Sequence, residues 1–372
     1  MASLTVDSVR NMIMGDAVLN EELLQLALPE LNIRVQSNST ALLATLSHYF
    51  RHIVHTEKFP EHSPTIEVIA IESPAIDAEL PLKDWSREAG KRGKKDAYLD
   101  IDGGRCIYKV RTGMMFLQSL KHRIAAGPCL DNSNQVINFI NNQYMNLLQQ
   151  QGWLICHAAA LAQNNQAIAI AGFSGGGKST AMLHLMSDQR FDFVSNDRLF
   201  IHAEATRVQA RGIPKLPRVN PGTLLHNPQL LEILPADQID QLKAMPKAEL
   251  WELEEKYDVD IADIYGHSRF SMAPSSLGHF LILNWSHHTQ QPTAIREIDV
   301  HQRPELLDAI MKSSGPFYQH LDGSFNSDDR ILDRQHYIDT LTHLHVYEVS
   351  GKVDFSVIQA FCSRHPAIPA AI

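Results

Sequence analysis

The first 150 residues mix helical and strand rhythms of apolar side chains. Residues 38–54 (NSTALLATLSHYFRHIV) repeat apolar positions near helical spacing, behind Asn38 or Ser39 as the cap. Residues 65–72 (TIEVIAIE) alternate as a half-buried strand, and a polar stretch with Pro and Gly runs from 73 to 96. The segment 97–111 (AYLDIDGGRCIYKVR) reads as a hairpin turning at Gly103-Gly104. In 133–151 a long helix gathers Val136, Ile137, Ile140, Tyr144 and Leu147 on one face.

From 153 the texture changes. Residues 153–162 (WLICHAAALA) and 167–171 (AIAIA) are short, nearly continuous apolar runs, as strands covered on both faces are. His157 falls inside the first run. A helix is expected at 178–188 and a strand at 191–195 that ends in Ser195-Asn196-Asp197. Further strands are expected at 198–203, 279–284 and 343–349, with helices near 303–312 and 353–363. The pattern predicts an α+β domain over 1–150, with a substrate or regulatory role, and an α/β nucleotide-binding domain over 151–372.

The chemistry concentrates where that second pattern begins. Gly172-Phe173-Ser174-Gly175-Gly176-Gly177-Lys178-Ser179 matches G-x-x-x-x-G-K-[ST] in full, and Thr180 follows. Glycines let the backbone turn its N–H groups inward around phosphates. Lys178 supplies a mobile point charge for the β- and γ-phosphates, and the Ser179 hydroxyl is a Mg²⁺ ligand. The helix that starts there aims its positive end at the anion. ATP and Mg²⁺ are therefore the expected ligands. Asp197, at the end of its strand, lies at the carboxyl edge of the sheet, where α/β sites form.

Composition narrows the partners. With 33 basic against 42 acidic residues, the net charge of -9 excludes a general nucleic-acid binder. The one basic run, Arg87–Lys95, reads as a solvated loop. Four scattered cysteines without a CxxC pair suit reduced thiols in a cytosol, and no apolar run is long enough to span a bilayer. A soluble cytoplasmic enzyme is expected, and a homo-oligomer is compatible with it. Nineteen histidines come without HExxH or a Cys/His pairing, so surface and packing histidines are the default.

His157-Ala-Ala-Ala, the segment 171–180 and Ser195-Asn196-Asp197 together resemble the catalytic domain of HPr kinase/phosphorylase. They are most similar to the group called HprK-related kinase B. Further shared stretches are Val110-Arg111-Thr112-Gly113, Gly127-Pro128, Asn134–Phe139, Ser195–Arg198, Lys256–Val259 and Leu283-Asn284-Trp285. The resemblance implies a P-loop domain of the phosphoenolpyruvate-carboxykinase type and phosphorylation of a serine on a protein. It also implies roles: Lys178 neutralises the transferring phosphoryl group, Asp197 accepts the proton, and His157 sits beside it. The departures are specific. Asn196 replaces the first Asp of the family's pair. The family's metal-binding Glu corresponds to Gln209 or is absent. Val259 stands where an Arg is expected, unless Arg269 replaces it. Three functions follow in order: a serine kinase acting on a protein or peptide, a small-molecule kinase, and an ATP-sensing module with little turnover.

Overall fold

A computed structural model describes residues 4–60, 62–77, 79–86, 93–173, 175–205, 207–246, 249–250, 253, 255–286 and 288–364. Ser174 of the P-loop and residues 87–92 of the basic run lie outside them. The chain divides into two compact units, Met1–Gln151 with Ser314–Ile331, and Gly152–Ser313 with Leu332–Ile372. No described helix is long and apolar enough to cross a membrane.

The first unit is built on one eight-stranded sheet. Its strands are β1 (Leu24–Leu28), β2 (Leu31–Ser37), β3 (Thr65–Glu72), β4 (Lys83–Asp84), β5 (Asp96–Ile101), β6 (Gly104–Lys109), β7 (Met114–Ser119) and β8 (Arg123–Gly127). They lie in the order β1-β2-β3-β8-β7-β6-β5-β4. Helix α1 (Val6–Met14) buries Val9 and Ile13 against Cys106, Met115, Leu117 and Ile124. Phe116 points to the other face, as the period of two requires, and meets Phe139 of α3 (Ser133–Gln150). Helix α2 (Thr40–Tyr49) is capped by Ser39, whose side chain accepts from the Leu42 amide. Asn38 instead bonds both backbone groups of Glu72.

One expectation about the chain's division needs correction. Ser314–Ile331 falls within the stretch 151–372 but belongs to the first unit. Side chains of that unit satisfy its backbone. Arg105 donates to the carbonyls of Pro316 and Asn326 at 3.3 and 3.1 Å. Asn146 donates to Phe317 at 3.0 Å, and Gln150 to Gln319 at 2.8 Å. Buried carbonyls demand such partners, and long amide side chains on α3 supply them.

The second unit holds a nine-stranded sheet and a small ribbon. The sheet comprises β9 (Leu154–Cys156), β10 (Ala158–Gln163), β11 (Gln166–Gly172), β12 (Asp192–Ser195), β13 (Leu199–Glu204), β14 (Arg207–Arg211), β17 (Ser275–Leu283), β18 (Ala294–Glu297) and β19 (His345–Ser350). The ribbon pairs β15 (Arg218–Val219) with β16 (Tyr257–Asp258). The main path runs β12-β10-β11-β17-β14-β13-β9, with β19 beside β17 and β18 beside β19. Alternation explains the alanines of β10 and β11. Leu161, Ile168 and Ile170 pack with Met182 and Leu185 of α4 (Lys178–Met186). The opposite face carries Ala158, Ala160, Ala162, Ala167, Ala169 and Ala171, packed with Val194, Ile201, Phe280 and Ile310. Small side chains on that face leave room for bulky neighbours. The stretch expected as a helix at 303–312 is a 3₁₀ turn over Pro304–Ala309, entered through Pro304.

Candidate active site

Strand β11 ends at Gly172 and α4 begins at Lys178, so the chain must reverse in a short glycine turn. Gly175 and Gly177 have φ of 76° and 79°, which side-chain-bearing residues rarely adopt. A Cβ on Gly176 would lie 2.9 Å from the Phe173 carbonyl oxygen, and one on Gly177 would lie 3.1 Å from the Phe355 ring. The Trp285 indole N–H donates to the Gly176 carbonyl at 2.8 Å, which fixes the turn from the end of β17. Helix α4 is capped by Gly177 and has no side-chain cap bond. Its cap residue therefore offers no side chain to compete with an anion for the leading amides. The Thr180 hydroxyl shares a hydrogen bond with Thr223 at 2.9 Å.

Strand register then brings His157 and Asp197 to this turn. Ala158 pairs with Ala171, and Ala160 pairs with Ser195 in the antiparallel neighbour. Two residues beyond Ser195 put Asp197 level with the start of β10, beside His157 and the end of β11. The Ser195 hydroxyl accepts from the Arg198 amide at 3.2 Å and closes the loop around Asn196-Asp197. His157 is not inside a strand, contrary to the apolar reading of 153–162. It occupies a bend between β9 and β10, because β9 pairs with β13 whereas β10 pairs with β11 and β12. Its amide donates to the Ile310 carbonyl at 2.7 Å, and Cys156 bridges Met311, so the same bend positions Lys312.

The result is an acid gripped by three cationic or hydrogen-bonding groups. Asp197 Oδ1 lies 3.0 Å from His157 Nε2 and 3.4 Å from Lys178 Nζ, and its Oδ2 lies 3.7 Å from Lys312 Nζ. Lys178 Nζ also donates to the Asn196 carbonyl at 3.3 Å. Burial works to raise the Asp197 pKa, but the His157 hydrogen bond and the Lys312 and Lys178 charges outweigh it. Its carboxyl is held well below the usual carboxylate range. Burial lowers the Lys178 ammonium, and Asp197 opposes that effect. Lys215 stands nearby. Burial first, then repulsion from Arg198, Lys312 and Arg218, push its ammonium down to about 7.

Two expected site residues do not join this group. The Arg269 guanidinium donates to the carbonyls of Phe191, Met186 and Asp188 and pairs with Asp192 at 3.4 Å. Those partners sit at the far end of α4, roughly 13 Å along its axis from the P-loop. Arg269 is therefore a buried brace for the helix C-terminus and not a catalytic cation. Gln209, expected as a metal ligand, pairs with Ser276, which pairs with Gln166 at the opposite end of β11 from Gly172. About 20 Å of extended strand separates that end from the P-loop, too far for a shared metal. Lys215 and Lys312 were missed by sequence reasoning. The only hint of Lys215 is a lysine set among Ile213, Pro214, Leu216 and Pro217, an apolar surrounding for a charge.

No family model matches this chain, and no curated protein matches it. Among solved structures, the HPr(Ser) kinase/phosphatase from Coxiella burnetii aligns with 57% of this chain and 95% of its own, at 10% identity and a TM-score of 0.28. That protein is of the broad kinase type that the motifs resemble, and a superposition this distant adds nothing to what the side chains themselves say.

Proposed function

We propose that this chain is an ATP-dependent kinase that transfers a phosphoryl group to a hydroxyl, with a serine of a protein or peptide as the acceptor. The observation that carries the reading is the convergence of Lys178, Asp197 and His157 at the mouth of a complete P-loop. The P-loop amides and Lys178 would hold the nucleotide phosphates, a task for which an uncapped helix start and a buried cation are suited. Asp197 would accept a hydrogen bond from the acceptor hydroxyl and take its proton, held in place by His157. Its low pKa keeps it ionised and ready to orient the hydroxyl at any physiological pH.

Magnesium suits this site through the nucleotide more than through the protein. Among the described residues no group of three His, Cys, Asp or Glu side chains gathers to hold a metal. The Ser179 hydroxyl would be its ligand from the P-loop, with phosphate oxygens and water completing the shell, as Mg²⁺ commonly prefers. When bound, it would neutralise charge on the transferring phosphates.

An ATP sensor with little turnover is the second reading, favoured by Asn196 in place of a second acid and by Arg269 being bound elsewhere. Incubation with γ-labelled ATP and Mg²⁺ separates the possibilities, using desalted lysate protein or a protein-free metabolite extract as acceptor. Label in an alkali-labile phosphoserine supports the proposal. Label in a small molecule changes the acceptor class, and bound but untransferred nucleotide supports the sensor.

A further inference from the structure

The two oxygens of the Asp197 carboxylate are served unequally. Oδ1 has two partners, His157 Nε2 at 3.0 Å and Lys178 Nζ at 3.4 Å. Oδ2 faces Lys312 Nζ at 3.7 Å, close enough for attraction between charges but too far for a hydrogen bond. Among the described residues the Lys312 ammonium makes no hydrogen bond, although its side chain is only 17% exposed.

Stability alone explains such a lysine poorly. A buried ammonium needs partners for its three N–H groups, and one long ion pair does not offset its desolvation. The backbone nevertheless fixes its place. The Ile310 carbonyl accepts from the His157 amide at 2.7 Å, and Met311 bridges Cys156. Tyr337, itself buried, donates to the Ile155 carbonyl at 2.6 Å and holds the other side of that bend. A separation of 3.7 Å suits a bridge through one oxygen, which would form a triangle with sides of about 2.8 Å to Nζ and Oδ2. That oxygen must accept from the ammonium and donate to the carboxylate, and a hydroxyl does both. The Asp197 side chain is 35% exposed, so a hydroxyl can reach it.

We propose that Lys312 is a catalytic residue that seats the acceptor hydroxyl against Oδ2 of Asp197 and stabilises the negative charge that grows on its oxygen. The inference rests on the phosphoryl-transfer reading of this site. The carboxylate then divides its work: Oδ1 is anchored by His157 and Lys178, and Oδ2 turns to the acceptor. As the acceptor oxygen bonds to the γ-phosphorus, its proton passes to Oδ2. The bond between the phosphorus and its bridging oxygen breaks, and the electron pair leaves with the nucleoside diphosphate. Asp197 afterwards gives the proton to solvent. Lys312 donates to the acceptor oxygen throughout. Its effect is greatest when that oxygen has lost its proton and is only partly bonded to phosphorus. Lys178 and Lys312 therefore have separable roles, the first toward the nucleotide and the second toward the acceptor.

The test uses the full chain with γ-labelled ATP, Mg²⁺ and desalted lysate protein, and reads label in phosphoserine. K312M and K312A should each lower transfer by roughly 10² to 10³-fold, the scale for loss of one oxyanion donor. Calorimetry should show ATP–Mg²⁺ affinity changed severalfold at most, which also reports an intact fold. K312R, which keeps N–H donors, should lose less than K312M. Ethylammonium added to K312A should restore part of the rate, because it brings back an N–H donor. Tetramethylammonium at the same ionic strength has no N–H and should restore none. Near-normal transfer in K312M, a matching loss of ATP–Mg²⁺ affinity, or an equal response of K312A to the two cations overturns the assignment. A wild type that binds ATP–Mg²⁺ but labels neither protein nor metabolite would instead overturn the phosphoryl-transfer reading beneath it.

Discussion

The two flanks of the site are made of different material. On one flank a single glycine turn leads into a helix whose cap makes no side-chain hydrogen bond, and glycine conformation sets the shape. On the other, side chains from three separate segments meet: the β9–β10 bend, the loop after β12 and the residue after Met311. The first flank depends on steric fit and a helix start, which pH barely touches. The second depends on a balance of charges, which pH, salt and single substitutions can upset. Recognition of the nucleotide belongs to the first flank in this account, and chemistry to the second.

Lys178 belongs to both flanks, so its removal should have the largest effect. Lys178→Ala should reduce transfer from γ-labelled ATP by at least about 10³-fold, the scale for a cation on the transferring phosphoryl group. Circular dichroism should show the fold intact, because the side chain leads from the helix start toward Asp197 and not into the apolar core. Near-normal transfer in that variant would break the division between the flanks.

Asp197→Asn strikes the charge-built flank alone. Transfer should fall by roughly 10² to 10⁴-fold, as for a lost general base, with nucleotide affinity changed far less. A matching loss of nucleotide affinity would mean that the flanks are not separable. The same variant sharpens the electrostatic claim through stability. Because the folded pKa of Asp197 is depressed, its ion pairs stabilise the fold fully above the ordinary carboxylate value. That contribution disappears as pH falls from there toward the folded pKa. Denaturant titrations between neutral pH and pH about 3 should show a shallower acid-side loss for Asp197→Asn than for wild type.

Trp285→Phe should have the smallest effect. It deletes one hydrogen bond to the Gly176 carbonyl, worth about 0.5–1.5 kcal/mol, and keeps an aromatic ring beside Phe355. Nucleotide affinity should weaken severalfold, with the transfer rate at saturation unchanged. A drop in that rate without loss of affinity would place Trp285 with the chemistry.

The same contrast explains what could be read in the sequence. The P-loop, the helix after it and the apolar runs of β10 and β11 depend on neighbours in the chain, so glycine spacing and local composition reveal them. His157 looked like a strand residue because its run is apolar, and only the pairing of β9 with β13 makes it a bend. Gln209 and Arg269 were named by motif order, but strand register carries the first to the far end of the sheet, and a helix C-terminus captures the second. Lys312 reaches Asp197 from more than a hundred residues away in sequence, a pairing that no local pattern encodes. In the first unit, β7 is buried along its whole length and shows no alternation, and β1 and β2 turn at Pro29-Glu30, with Glu30 at φ 67° and no glycine to announce it.

The most direct test of the central claim is calorimetric titration of the intact protein with ATP and Mg²⁺, followed by a melting curve at saturation. Binding should be present in wild type and greatly reduced in Lys178→Ala, and ligand at about 100 times its Kd should add roughly 2.7 kcal/mol to wild-type stability. No heat of binding and no thermal shift with wild-type protein would contradict the account at its root.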